Sequence, residues 1–178
     1  MVHLLKKILN TSIIGVVKFF VVICLVMVAI AALPLTLATP IHETTKYQDS
    51  QWSKACISDM TQVDNDMKSL TTAAKNYDFT SASTYAPILY TDSQKAIENS
   101  DLYNVSPDLQ SSKDEYRLAM AQANRVAVYA NSGVEEYNNG NLEAINTDLK
   151  QAIECVKSYN EHNKKAVQLS NDYKSKKN

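Results

Sequence analysis

Between Cys56 and Tyr173, side chains suited to burial recur at spacings that alternate between three and four residues. This rhythm lines up one stripe of an α-helix, whereas a strand would scatter the same residues over both faces. The stripe Cys56, Met60, Val63, Met67, Leu70, Ala74, Tyr77 predicts a helix from about Glu43 to Tyr77. A second stripe runs through Tyr116, Met120, Ala123, Ala127, Ala130, Val134 and Tyr137. A third links Leu142, Ile145, Leu149, Ala152, Val156, Tyr159, Asn163, Ala166, Ser170 and Tyr173. Each is a heptad seam that needs a neighbouring helix to cover it.

The breaks between the stripes are equally readable. Asp78 and the Thr80 to Thr84 cluster mark a turn and the N-cap region of a second helix, from about Ser83 to Asp101, with Pro87 in its first turn or kinking it. In Ser106-Pro107-Asp108, Ser106 suits the N-cap and Pro107 the first helical position, so a third helix should run from there to about Asn138. Gly140 in Asn138-Asn139-Gly140-Asn141 suits a left-handed cap, and Asn141 can cap the fourth helix. Only 3 Gly and 4 Pro occur in 178 residues, too few turns for a strand-rich domain. The expected fold class is therefore all-α, an antiparallel up-down bundle of about four helices over residues 43–178.

A different signal precedes the bundle. From Phe19 to Ala38 no residue is charged, Lys6, Lys7 and Lys18 come before, and no acid appears until Glu43. Twenty apolar helical residues span about 30 Å, the hydrocarbon thickness of a bilayer. This gives a short basic cytoplasmic N-terminus (1–18), a transmembrane anchor (19–38), a linker (39–42) and an extracytoplasmic bundle. A cleaved signal peptide ending at Thr36-Leu37-Ala38 is the competing reading and would make the protein secreted. The apolar stretch is longer than a signal core, which favours the single-pass anchor.

Charge narrows the partners. Three of the 18 basic residues lie before residue 39, leaving 15 against all 19 acids, a net of −4 for the outer part. Nucleic-acid binding, which needs clustered positive charge, is not expected. Ten Tyr against three Phe suit a slim bundle or an interaction surface, because tyrosine tolerates a half-wet position.

Few residues invite chemistry. Cys56 and Cys155 fall on the first and last helices, in a compartment where disulfides persist. If those helices are flush, Cys56 faces a residue near 162, so a bond needs a stagger; two separate buried thiols are the alternative. His3, His42 and His162 are too far apart along the helices for zinc, and Asp64 and Asp66 lack a calcium-loop pattern and read as a solvated face. Asp114-Glu115 likewise reads as exposed charge. No phosphate loop, nucleophile elbow or haem site is present, so neither an enzyme nor a cofactor is expected. The polar half of the last seam, Asn163, Ser170 and Tyr173, is the sole hint of a ligand cavity.

The segments Leu89-Tyr90-Thr91-Asp92-Ser93, Asn104-Val105-Ser106-Pro107-Asp108-Leu109 and Glu115-Tyr116 resemble those of small archaeal membrane-anchored helical proteins. That resemblance implies an anchor followed by a helical domain and assigns no activity. The expected function is a non-catalytic, membrane-tethered module acting through contacts with an envelope protein or a second copy of itself. A sensor-like bundle that binds a small ligand and signals through a partner is the alternative.

Overall fold

The computed structural model describes residues 47–177. The expected cytoplasmic segment, anchor and linker, with Cys24, His3 and His42, lie outside the described residues. Four helices account for nearly all of what is described: α1 (Asp49–Lys75), α2 (Phe79–Asp101), α3 (Pro107–Asn138) and α4 (Leu142–Lys177). The described residues contain no strand, and no helix among them is long and apolar enough to cross a membrane.

The turns form where local chemistry demands them. Asp78 caps α2 by accepting from the Ser81 amide (2.9 Å) and the Ser81 hydroxyl (2.6 Å), so the helix starts four residues earlier than the sequence predicts. Pro87 therefore lies well inside α2. Gly140 takes φ +74°, and Asn141 accepts from the Ala144 amide at 3.3 Å, both as expected. Tyr77 lies beyond the end of α1 with φ +55°. The Asp78 amide reaches back to the Ala73 carbonyl (2.9 Å) and the Tyr77 amide to Ala74 (3.1 Å), a helix-ending motif that usually places glycine where Tyr77 stands.

Short connections force antiparallel neighbours. The α1–α2 and α3–α4 turns share one end of the bundle, and the start of α1, the α2–α3 turn and the end of α4 share the other. α3 is the central element. It lies along α2 and α4 and meets α1 more narrowly, and no Cα of α1 comes within 8 Å of one of α4.

Its position explains why α3 buries more than its predicted stripe. Ala119, Val126 and Gly133 join Tyr116, Met120, Ala123, Ala127 and Val134 in the interior. A residue seven positions on falls about 20° short of the same line on a straight helix, so a seam drifts. On α1 the drift buries Ala73 in preference to Ala74. The core also holds Trp52, Val63, Met67, Leu89 and Tyr159, with Trp52 edge-on to Tyr116 at 6.2 Å between ring centres. Complete burial of one such apolar side chain contributes roughly 1.5–3 kcal/mol.

Candidate functional site: the polar seam between the first and last helices

Because the backbones of α1 and α4 stay apart, long side chains must span the gap. Tyr159 on α4 is fully buried and donates its hydroxyl to Oδ1 of Asp64 at 2.7 Å. Two heptads further along, Tyr173 donates to Oδ2 of Asp49. Asp49 also accepts from the Ser106 amide at 2.7 Å, and the Ser106 hydroxyl lies 3.3 Å from the Tyr173 oxygen. Ser106 occupies the N-cap position of α3 as predicted, but its hydroxyl turns to Tyr173 and caps nothing. This cluster ties together the starts of α1 and α3 and the end of α4, and the Gln48 amide adds a 2.8 Å bond to the Asn104 carbonyl.

The three residues of the predicted polar seam divide. Tyr173 belongs to the Asp49 cluster, Ser170 is half-buried, and Asn163 is buried with no hydrogen-bond partner for its Oδ1. They share one side of α4 but do not converge on a single point. Ten residues separate Asn163 from Tyr173, about 15 Å along the axis.

Cys56 and Cys155 are free buried thiols. The pairs Asp49 with Tyr173 and Asp64 with Tyr159 fix the register of α1 against α4. In that register Cys56 stands opposite residue 166, eleven residues from Cys155, or roughly 16 Å of rise. The offset is larger than the one expected from flush helices, and it keeps the two sulfurs apart. Burial pushes the Cys56 thiol far above its ordinary range, with Asp59 adding to the effect. Burial also raises Cys155, although Arg125 opposes it. Neither thiol has the thiolate character that nucleophilic chemistry needs.

The reading of Asp64 and Asp66 as solvated does not hold. Both help form interhelical contacts, and burial raises their carboxyls and that of Asp59 above the ordinary value of 3.8. Asp59 faces Asn99 of α2 at 3.4 Å. One heptad along both helices, Asp66 faces Asp92, whose negative charge raises Asp66 further. Glu115 is also misread by sequence. It crosses from α3 to α4, accepting from Lys165 (2.5 Å) and pairing with Nδ1 of His162 (2.7 Å), which hold its carboxyl below the usual 4.5. The signal available in the sequence was position: Asp59 and Asp66 are seven residues apart and share the side of α1 that faces α2, whereas Asp49 and Asp64 lie on the side toward α4.

These groups neutralise or pair with one another and converge on no common point. Among the described residues no set of three or more His, Cys, Asp or Glu side chains is arranged to hold a metal ion. The chain matches no family model, no curated protein and no solved structure.

Proposed function

We propose that this chain is a non-catalytic helical module, tethered to a membrane by residues 19–38 with its bundle on the extracytoplasmic side, that works by binding another protein or a second copy of itself. The tether rests on the uncharged run and its flanking lysines. The observation that supports a contact role is the set of large apolar side chains left outside on α2 and α3. Ile88, Tyr90, Leu118 and Val128 are each at least 39% exposed, and Leu102, at the end of α2, is 75% exposed. The α2–α3 edge lies opposite the polar seam. There Asn124 donates to the Tyr90 carbonyl at 3.2 Å, and Val128 follows one turn later on α3.

Crosslinking of the full-length chain in whole envelopes tests the proposal. Capture of one defined partner or a homo-oligomer, lost in the double variant Tyr90→Lys, Val128→Lys, is the expected result. A chain that stays monomeric and is crosslinked to nothing reproducible would overturn it.

A second reading, a ligand-binding bundle that signals through a partner, is favoured by Asn163, whose Oδ1, like that of Asn160 one turn earlier on α4, is buried without a hydrogen-bond partner. A buried amide oxygen without a partner costs about 1–3 kcal/mol, which a structural seam would avoid. Replacing Asn163 with Leu should stabilise a purely structural bundle. A gain in melting temperature with retention of every co-purifying small molecule would remove this reading.

A further inference from the structure

At one position of the α4 heptad the residues run Ile145, Ala152, Tyr159, Ala166, Tyr173. The two tyrosines fill the wide α1–α4 gap at their own levels. At Ala166, α3 closes in, and the Ser112 hydroxyl donates to the Ala166 carbonyl at 2.7 Å. At Ala152 neither device operates. No aromatic ring enters from α4, and the small residues Ala74, Ala130 and Gly133 leave room between the larger Leu70, Phe79 and Tyr129 of the neighbouring elements. A cavity of about 100 Å³ remains there, between the second half of α1, the start of α2, the second half of α3 and the first half of α4.

The wall of this cavity is almost wholly apolar. Asp78 is its one charged residue, and that carboxylate is committed to the Ser81 amide and hydroxyl. A buried water needs two to four polar partners, which this wall does not supply. An apolar cavity of about 150 Å³ in another protein stays dry and takes up benzene or xenon, so the volume here is of the right order for one small ring. It is far too narrow for a helix of a second chain, which is about 10 Å across. Tyr77 lines the cavity while 40% exposed, in a left-handed conformation that an L-residue adopts only at a cost. Strain of this kind gathers at ligand clamps. Phe79 stacks on Tyr137 at 3.7 Å beside it.

We infer that this cavity is a binding site for an uncharged apolar group the size of one ring, aromatic or branched aliphatic, presented as a free small molecule or as the end of a longer apolar chain. The absence of unpaired charge in the wall matches an uncharged occupant. The site lies at the α1–α2 turn, about 40 Å along α1 from the point where the chain enters the bundle. It is independent of the α2–α3 edge and of Asn163.

The test is a titration of the full-length chain in lipid nanodiscs with toluene, followed through methyl resonances. Saturable shifts at Ala74, Ala152 and Ile145, with Ala119 and Ala123 of the central core unmoved, are the expected result. The variant Ala152→Leu, which places three more carbons in the cavity, should abolish those shifts. Titration of hexane alongside toluene tells a ring from a chain end: saturation by toluene alone assigns a ring, and saturation by hexane as well assigns the end of an apolar chain. Absence of saturable shifts in the unmodified chain up to the solubility of toluene would overturn the inference, whether or not Ala152→Leu folds. Shifts of the same methyls that follow protein concentration without toluene would also overturn it, by showing that a second copy seals the cavity.

Discussion

The hydroxyl of Tyr159 meets the carboxylate of Asp64 at 2.7 Å across two helices whose Cα atoms never come within 8 Å of each other. One side chain thus does the work that close backbone approach does elsewhere in the bundle. Removing only its oxygen isolates that work. Tyr159→Phe keeps the buried ring but leaves Asp64 without its donor, and should destabilise the protein by about 1–3 kcal/mol. Urea unfolding of the purified chain measures it. A loss well under about 0.5 kcal/mol would mean that the ring alone spans the seam.

Acid should strengthen this fold before it weakens it. Asp59, Asp64 and Asp66 hold a proton more tightly folded than unfolded, because burial raises their folded values above 3.8. The folded state therefore gains stability as the pH falls through those raised values, and the gain is complete below 3.8. Glu115 works the other way: its folded value lies below 4.5, so its contribution is present above 4.5 and is lost as the pH falls through the lowered value. Unfolding free energy should rise from neutral pH toward about 4 and then decline. In Asp92→Asn, the Asp66 level becomes a copy of the Asp59–Asn99 level. This variant should be more stable at neutral pH and show a shallower rise. An identical slope in both chains would contradict the pairing of Asp66 with Asp92.

The register of α1 against α4 predicts the state of the cysteines. Alkylation followed by peptide mass mapping of the oxidised full-length chain should find Cys56 and Cys155 unlinked to one another. A linked peptide would require the two helices to slide by eleven residues, which would break both the Asp49–Tyr173 and the Asp64–Tyr159 pairs.

Gly133 lies inside α3, and a Cβ added there would meet only the Asp148 Cβ at an ordinary 3.9 Å. Glycine in a helix interior costs about 1 kcal/mol relative to alanine. Gly133→Ala should therefore raise stability by roughly 0.5–1 kcal/mol in thermal or chemical unfolding. A loss would show that α3 and α4 approach more closely at this level than that distance allows.

The sequence disclosed the helices more readily than their faces. Pro107, Gly140 and Asn141 act locally, so the two boundaries they set could be read from composition and spacing alone. Asp78 was visible as a turn residue, but Ser83 was an equally good start by composition, and the cap that Asp78 makes with the Ser81 amide and hydroxyl sets the earlier one. Apolar stripes located the core of α1, α3 and α4 well. They could not show that α3 is central, because that depends on which helices meet it, and so Ala119, Val126 and Gly133 went unassigned.

Polar residues were the harder case. A stripe of hydrophobic residues announces burial, whereas Asp49, Asp64, Asp66 and Glu115 are buried or half-buried only because a partner from another helix receives each one. Those partners are between 26 and 124 residues away in sequence. Of the predicted polar seam, Asn163 and Tyr173 are buried for different reasons, and the cavity lies at the other end of α4, where the signal was an alanine in place of a tyrosine.

The Asp49 cluster has a mechanical meaning. Asp49 is the first residue of α1, and it is clasped by Ser106 and Tyr173 where the chain enters the bundle. A pull directed along the axis of α1 loads the helix in shear against α2 and α3, whereas one directed across it would peel the helix away a turn at a time. Axial force reaching the bundle from that side is shared along 27 residues, and the clasp is the first joint to bear it.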